Sequence, residues 1–274
     1  MTQPVAGVTM GDWSGRRRRK AMVRKISPNF TKAIAKYFGE GPKDIELSKK
    51  AHENYIIALE KHGLNVMILP ELENLPDCCF LEDAAVIVNG AALICNLGHP
   101  NRAGEAESLR KILSKYMDII DMPDDATLDG GDVIYFDETY LIGRSTRTNE
   151  AGVRFFKKIC QNKGFSVHEI DIPKSTLHLS TVCSSPKPGV LITAEGHLTE
   201  EQFNGLDAEI IWIPNNETYA ANTIGFEDGS LIISDGFPKT REILEEYGFS
   251  ITTVDMEHIM AADGSLTCLR LFYQ

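Results

Sequence analysis

A cysteine near the C-terminus, Cys268 in ADGSLTCLRLFYQ, is the residue whose chemistry stands out first. A cysteine becomes the nucleophile of an enzyme when a base or a cationic partner promotes its ionisation. Three carboxylates lie in LPDCCFLEDAA (75–85), two more in TLDGGD (127–132), and one histidine, His178, in the apolar segment LHLS (177–180). Carboxylates favour a cationic ligand, and the histidine favours proton transfer. The pattern indicates a cysteine hydrolase that acts on a positively charged small molecule.

The elements that must position these residues recur in one order: a β-hairpin, an amphipathic helix and another strand. Asn-Gly and Asp-Gly pairs at the turns are strong hairpin signals. Four hairpins are predicted over residues 84–96, 131–144, 180–193 and 222–234. The helices are predicted over residues 47–63, 104–116, 150–163, 200–206 and 238–248.

The fifth unit closes the chain on itself, because the last strand SLTCLRLFY is expected to pair with AMVRKIS (21–27). An ordinary mixed α/β sheet would explain the strands equally well, but not the repeated order of hairpin, helix and strand. We therefore expect an α/β ring of five ββαβ units whose side chains converge on one central channel. His178 is expected in a strand of this ring, and Cys268 in the last strand.

Composition limits the class of protein. The 274 residues are 43% hydrophobic and 24% charged, as in a globular protein, and the net charge of −11 disfavours broad binding to nucleic acid or anionic membranes. The basic run Arg16–Lys20 is interpreted as a solvated part of an N-terminal tail (1–20), ahead of one catalytic domain (21–274). No apolar run is long enough to span a bilayer, and the N-terminus lacks the features of a secretory signal. The six cysteines are not spaced as a disulfide framework, which favours a cytoplasmic location.

Seven segments together resemble one family. PDCCFLEDAAVI, LGHPNRAGE, TLDGGDV, GRSTRTNEAG, LHLS, YAANTI and DGSLTC follow in the order found in dimethylarginine dimethylaminohydrolases. These belong to the guanidine-modifying, or amidinotransferase, superfamily together with arginine deiminases. The resemblance extends from about residue 21 to the C-terminus. It implies a five-bladed pseudo-symmetric α/β propeller, in agreement with the five repeated units.

The resemblance also implies a catalytic group. Cys268 would attack the guanidinium carbon of the substrate, His178 would protonate the departing amine and then activate water, and Asp129 would orient His178 or the substrate. From the residues alone, each has a plainer interpretation: a buried structural cysteine, a core histidine and a turn aspartate. The match to DGSLTC, LHLS and TLDGGD favours catalysis in all three cases.

Acidic residues are expected to bind the cationic end of the substrate. The resemblance places Glu82 and Asp83 against the guanidinium, with Asp83 the more direct contact. Neighbouring residues of an extended chain point to opposite faces, so both can reach one ligand only at a strand end or an irregular turn. Asp77 resembles an acidic group near the α-amine of the substrate or near a lid.

The amino-acid end of the substrate is expected to meet two arginines, Arg102 and Arg147, because a guanidinium fork grips a carboxylate well. The backbone carbonyls near Ile34 and Ala262 are expected to hold the α-amine. The match around Arg102 is looser, since many relatives have arginine at the position of Asn96 and a small residue at the position of His99. The roles of Asn96 and His99 are left open.

The resemblance implies hydrolysis of an Nω-methylated arginine to citrulline and a methylamine. An arginine deiminase-like hydrolase of an unmethylated guanidino compound, an amidinotransferase and a non-catalytic binder of arginine-like ligands are the alternatives. A thiolate and a histidine suffice for this chemistry, so neither a metal nor an organic cofactor is implied. The expected partner is a small-molecule arginine derivative, and a homodimer is left open as the assembly.

Overall fold

The computed structural model describes residues 19–273, which form five separate three-stranded sheets. In spatial order from the centre outward, the sheets consist of β15 (Arg270–Tyr273), β1 (Lys20–Arg24) and β2 (Asn65–Leu69); β3 (Ala85–Val88), β4 (Ala91–Ile94) and β5 (Asp118–Asp121); β6 (Val133–Phe136), β7 (Thr139–Arg144) and β8 (Ser166–Asp171); β9 (Cys183–Lys187), β10 (Val190–Ala194) and β11 (Glu209–Ile213); and β12 (Ile224–Gly225), β13 (Ser230–Ser234) and β14 (Ser250–Val254).

Helices connect the middle strand of each sheet to its outer strand or precede the inner strand. The α-helices are α1 (Ile45–Lys61), α2 (Leu81–Ala84), α3 (Glu105–Leu113), α4 (Glu150–Asn162), α5 (Leu179–Val182), α6 (Pro238–Glu246) and α7 (Glu257–Met260). Short 3-10 turns span Phe30–Lys32, Pro100–Arg102, Gly130–Asp132, Glu200–Phe203 and Asn215–Ala221.

Each sheet has the same topology, which confirms the predicted five ββαβ units. The inner and middle strands are antiparallel, and the middle and outer strands are parallel. The chain closes as expected, because β15 pairs antiparallel with β1 and brings Tyr273 opposite Lys20. The predicted turn at Asn89-Gly90 is also confirmed: its φ angles of 45° and 74° lie in the left-handed region that a tight hairpin requires.

Burial follows the same plan. The outer strands are half-exposed, whereas the inner and middle strands are almost entirely buried. Apolar clusters fill the spaces between neighbouring units, so each helix packs on its own sheet and on the next unit. This packing leaves the polar residues that precede the inner strands at the axis of the ring.

Two sequence predictions about local structure were wrong in an informative way. His178 lies not in a strand but at the N-cap of α5, and Cys268 lies in a turn ahead of β15. Glu82 and Asp83 lie in the single helical turn of α2 directly before β3, which agrees with the expected strand end or irregular turn. Short apolar runs suit a strand and a buried helical turn equally well, so periodicity could not separate them. The helix expected over residues 200–206 is a 3-10 turn, Glu200–Phe203.

Near the N-terminus, β1 begins at Lys20, and most of the basic run, residues 16–18, lies outside the described residues. Arg19 is exposed, with its guanidinium 3.8 Å from the carboxylate of Glu227. Within residues 19–273, no helix combines the length and apolar character needed to cross a membrane.

Candidate active site

A small pocket lies where the turns preceding the inner strands meet. Its volume is about 30 Å³, roughly the room that one water molecule occupies. Eight of the residues singled out in the sequence line it: Ile34, Asp77, Asp83, Arg102, Arg147, His178, Ala262 and Cys268. Residues from six separate segments therefore converge on one cavity, although they are up to 234 positions apart in the chain.

The thiol of Cys268 is buried at this pocket and has few polar neighbours. Its Sγ lies 3.2 Å from the hydroxyl of Ser265, and its backbone carbonyl accepts a hydrogen bond of 3.2 Å from the N–H of Glu82. Burial, followed by the nearby charges of Glu82 and Asp83, raises the pKa of the Cys268 thiol to about 12. The thiol is therefore protonated at neutral pH.

The imidazole of His178 has the opposite surroundings. Its Nε2 lies 3.0 Å from Asp129 Oδ2, and its Nδ1 lies 3.7 Å from Asp83 Oδ1. Burial opposes protonation of His178, but the carboxylates of Asp83, Asp129 and Asp132 outweigh it and raise its pKa to about 9. Burial acts to raise the pKa of Asp129, but the hydrogen bond and charge of His178, the charge of Arg102 and the N–H of Gly98 together lower it. The pair is an imidazolium with a carboxylate at neutral pH.

The Gly130-Gly131 pair lets the backbone approach His178 and Asp83 closely. A Cβ at Gly131 would lie 2.6 Å from His178 Nδ1 and 2.8 Å from Asp83 Oδ1, far inside contact distance. The N–H of Gly131 instead donates a hydrogen bond of 3.0 Å to Asp83 Oδ1. A larger residue at this position would displace either the histidine or the carboxylate.

Arg102 is buried and held from three directions. Its Nη1 donates to Asp83 Oδ2 at 2.6 Å, its Nε and Nη2 donate to Glu105, and its Nη2 also donates to the carbonyl of Phe80. Burial opposes its charge, but Glu105 and Asp83 together raise the pKa of Arg102 well above its usual range. Its guanidinium therefore fixes Asp83 and neutralises part of the local negative charge.

Arg147 is held less firmly. Its Nη1 lies 3.3 Å from Asp129 Oδ2, and its side chain is 11% exposed. A guanidinium has five N–H donors, and the described contacts of Arg147 engage only a part of them. Arg147 is thus the arginine better placed to turn towards an incoming carboxylate.

Glu82 points away from the Cys268 pocket. Its Oε2 accepts hydrogen bonds from Thr267 at 2.7 Å and from Ser180 at 3.4 Å, and its Oε1 lies 3.2 Å from Arg270 Nη1. It lines a neighbouring cavity of about 40 Å³ with these residues. Burial raises the pKa of Glu82. In this arrangement Glu82 connects three of the turns around the axis.

The segment before α1 covers the pocket and is attached by two carboxylates. Asp77 accepts a hydrogen bond of 3.1 Å from the N–H of Ile34, and Asp263 accepts from the consecutive N–H groups of residues 36–39. Burial raises the pKa of Asp77. Ile34 of this segment lines the pocket, whose volume of about 30 Å³ is too small for an amino acid.

Asn96 and His99 are not among the residues that line this pocket. The amide of Asn96 donates to the carbonyls of Pro123 and Ala126, so it fixes the loop before Asp129. Nδ1 of His99 accepts a hydrogen bond of 3.3 Å from the N–H of Asn101. Burial, with a contribution from Arg147, lowers the pKa of His99, so this residue adds no positive charge at neutral pH.

Two carboxylates and one imidazole also form a group that could hold a metal ion. Donor atoms of Asp83, Asp129 and His178 all lie within 4.8 Å of one another. The same three residues form the charged side of the pocket, and their hydrogen bonds to one another and to Arg102 satisfy them without an ion.

Comparison with known proteins identifies the family. The family model described as N,N dimethylarginine dimethylhydrolase, eukaryotic, matches residues 30–271. The N(G),N(G)-dimethylarginine dimethylaminohydrolase of Pseudomonas aeruginosa is 30% identical over 84% of this chain and 90% of its own length. This chain belongs to the dimethylarginine dimethylaminohydrolase family. The enzyme of the same name from Streptomyces coelicolor is 27% identical over 92% of this chain and 95% of its own length.

Solved structures of dimethylarginine dimethylaminohydrolases agree with this assignment. The structure of an adduct with S-methyl-L-thiocitrulline superposes with a TM-score of 0.87 at 26% identity, over 93% of this chain and all of that chain. A mutant of the Pseudomonas aeruginosa enzyme in complex with citrulline gives a TM-score of 0.86 at 26% identity, over 93% and 99% of the two chains. An amidinotransferase from Microseira wollei shares the fold, with a TM-score of 0.81 at 14% identity.

Three residues that support the pocket were not among the site residues expected from the sequence. Glu105, Asp132 and Asp263 are buried carboxylates, and each anchors an expected site residue or the covering segment. The available signal was proximity in sequence: each lies within three positions of an expected site residue, in RAGE, DGGD or ADGS. Their contacts depend on folding, so their types alone did not distinguish them from surface acids.

Proposed function

We propose that this protein hydrolyses Nω-methylated arginine to citrulline and methylamine or dimethylamine through a covalent thiouronium intermediate on Cys268. The observation that carries the proposal is the convergence of a thiol, an imidazolium and carboxylates on one pocket within a chain of this family. Phe80 and Leu177 add apolar surface to the same pocket, against which Nω-methyl groups can pack.

Binding of the cation activates the nucleophile. A guanidinium next to Asp83 adds positive charge beside Cys268, which favours loss of the thiol proton to water and opposes the effect of burial. The thiolate attacks the guanidinium carbon and forms a C–S bond, while the electrons of the C=N bond move to nitrogen. Without the bound cation the thiol stays protonated, so activation is coupled to substrate binding.

His178 then acts as general acid. As an imidazolium it donates its proton to the substituted nitrogen, the C–N bond breaks, and the methylamine leaves. The product of this step is the thiouronium on Cys268. Asp129 keeps the imidazole in place through the 3.0 Å hydrogen bond to Nε2.

In the second half-reaction His178 acts as general base. The neutral imidazole takes a proton from water as the oxygen attacks the thiouronium carbon, and collapse of the adduct breaks the C–S bond. Citrulline leaves, and the thiolate of Cys268 is released for protonation. One histidine can serve both steps because its proton is lost in the first and regained in the second.

The amino-acid end of the substrate is assigned to the opposite part of the pocket. Arg147 binds the carboxylate, and the carbonyls near Ile34 and Ala262 hold the α-amine, with Asp77 close to that charge. Arg102 contributes positive charge behind Asp83. Glu82 completes the acidic surroundings of the guanidinium through its charge and by bridging the turns of Thr267 and Ser180.

The decisive experiment is a citrulline-release assay across arginine, monomethylarginine, asymmetric dimethylarginine and agmatine. We expect the highest kcat/KM for a methylated arginine and none for the Cys268→Ser variant. Faster turnover of arginine would assign the chain to deiminase chemistry instead. Citrulline release that requires no cysteine would overturn the covalent mechanism.

The proposal includes a cytoplasmic location, and it leaves the assembly, monomer or homodimer, open. All six cysteines are free thiols, as is usual in a reducing compartment. Light scattering of the purified chain tests the assembly: a mass of 30.4 kDa would identify a monomer, and twice that value a homodimer.

A further inference from the structure

Asp132 is a buried carboxylate beneath the pocket and has no part in the reaction described above. It is fully buried at the end of the Gly130–Asp132 turn, and its side chain accepts three hydrogen bonds from three different residues. The donors are Ser145 Oγ at 2.5 Å, Thr148 Oγ1 at 2.6 Å and the N–H of Leu179 at 3.1 Å. A buried carboxylate without a counter-ion is costly, and several donors around one such group indicate a positional role.

One of these hydrogen bonds leads to the acid–base pair. The hydroxyl of Thr148 donates to Asp132 and accepts from the N–H of Asp129 at 3.3 Å. Asp132 also donates its own N–H to the carbonyl of Asp129 at 3.0 Å. The backbone of Asp129, whose carboxylate holds His178, is thereby fixed from two sides.

A second hydrogen bond leads to the expected carboxylate-binding arginine. The hydroxyl of Ser145 donates to Asp132 and accepts from the N–H of Arg147 at 3.0 Å. Each hydroxyl has one proton, which goes to the carboxylate, and a lone pair, which receives the backbone N–H. We call each such chain, from a backbone N–H through a hydroxyl to Asp132, a hydroxyl relay. The charged form of Asp132 only accepts hydrogen bonds, so it sets the direction of both relays.

The third hydrogen bond reaches the residue after the histidine. Leu179 is the first residue of α5, and its N–H donates to Asp132 Oδ1. This hydrogen bond fixes the start of α5 and with it the position of the preceding residue, His178, at the pocket. Room for this contact depends on Gly143, where a Cβ would lie 2.9 Å from Asp132 Oδ1 and 2.9 Å from the Cβ of Leu179.

We propose that Asp132 is a positioning residue that sets the acid–base pair and the carboxylate-binding arginine relative to each other, through one hydroxyl relay to each. Thr148 carries the relay to Asp129 and His178, and Ser145 carries the relay to Arg147. The inference rests on the proposed function, because it assigns the two relays to chemistry and to substrate binding respectively. It explains why the segment GRSTRTN lies against DGGD.

The two relays can be cut one at a time. Thr148→Val keeps the shape of the side chain and removes the hydroxyl, so kcat for the methylated arginine should fall by roughly 10- to 150-fold with little change in KM, the range for losing a hydrogen bond to a charged group. Ser145→Ala should instead raise KM for the same substrate, and it should leave kcat/KM for agmatine, which lacks the carboxylate, almost unchanged. The matched control is Thr240→Val, since the buried Thr240 Oγ1 makes no hydrogen bond within residues 19–273. It should change neither constant.

Asp132→Asn tests the centre of the arrangement by a readout that requires no turnover. His178 is faced by Asp83, Asp129, Asp132 and, farther away, Glu82, together with the cations Arg102 and Arg147. Removing one negative charge should lower the pKa of His178 from about 9, as measured by an NMR titration of its imidazole. The rise of kcat/KM with pH should end at a lower pH by the same amount. With the pKa of Cys268 at about 12, above that of His178, the population of thiolate with imidazolium stops growing once His178 loses its proton.

The outcomes distinguish failure of the positioning role of Asp132 from failure of the proposed function. Equal effects of Thr148→Val and Ser145→Ala on kcat and KM, or effects that only follow the melting temperature, would overturn the assignment of the relays. An unchanged His178 titration in Asp132→Asn would do the same, and if that variant does not fold, the two hydroxyl variants decide. If wild-type protein releases no citrulline while the His178 titration shifts as expected, the proposed function fails and the positioning role stands.

Discussion

The two sides of the active-site pocket are prepared to different degrees. On one side, His178 and Asp129 are already a charged pair, with the pKa of the histidine raised to about 9 by surrounding carboxylates. On the other side, burial and the carboxylates of Glu82 and Asp83 raise the pKa of the Cys268 thiol to about 12. Negative charge thus keeps His178 protonated, as a general acid requires, and keeps Cys268 as a neutral thiol, which is a poor nucleophile. In the proposed mechanism the positive charge of the substrate offsets this effect on Cys268, because a nearby cation favours the thiolate.

The largest effect is expected from removing the thiol. Cys268→Ser should abolish turnover while leaving the melting temperature nearly unchanged, because the two side chains are similar in size. Acid quenching of wild-type protein during turnover should trap a mass adduct on the peptide that contains Cys268. Cys160→Ser, at a buried cysteine in another apolar cluster, should keep full activity. An adduct on Cys78 or Cys79 would contradict the assignment.

Removing the prepared acid should have the next largest effect. His178→Gly should lose about 10²–10⁴-fold in rate, the usual contribution of general acid–base catalysis. If the histidine also activates water, the variant should accumulate the thiouronium, visible by mass spectrometry. His168→Gln, which changes a half-buried histidine bonded to the carbonyl of Gln202, serves as the control. Near-normal turnover in His178→Gly would mean that this histidine is only a buried structural residue and not the general acid.

The state of the thiol can be measured directly. With the pKa of Cys268 at about 12, alkylation of the free enzyme at this residue should rise about tenfold per pH unit between pH 8 and pH 11, since only the thiolate reacts. A bound guanidinium favours the charged sulfur, so a cationic ligand too small to shield Cys268 should move this profile to lower pH. A profile that is flat above pH 8 without any ligand would mean that the protein activates the thiol by itself.

The smallest effect on turnover is expected at the arginines. Arg147 and Arg102 have the same side chain at the same pocket, but we expect one to bind substrate and the other to stabilise the fold. Arg147→Ala should lower kcat/KM for the methylated amino acid by roughly 10- to 150-fold and affect agmatine far less, because only the amino acid has a carboxylate. Arg102→Ala should instead reduce the free energy of unfolding by about 3–5 kcal/mol, since it leaves Asp83 and Glu105 buried without their partner. Equal losses for both substrates in Arg147→Ala would make this arginine structural.

The sequence located the chemistry better than it located the structure around it. The repeated order of elements predicted five units, and turn pairs such as Asn89-Gly90 fixed the hairpins because their backbone requirements are local. The helical turns that carry Asp83 and His178 were not predicted, because a four-residue turn has no periodicity of its own and is held by contacts across the axis.

Residue types and their order along the chain determined the family, the fold and the set of reactive groups. Folding alone decided which groups meet: Arg102 is held by Glu105 and Asp83, Arg147 is left freer, and Glu82 points into the neighbouring cavity. It also decided ionisation, because burial and the distances between charges set a pKa, and neither is written in a motif. A cysteine and a histidine with ordinary pKa values in isolation are shifted to about 12 and about 9 by their places in the ring.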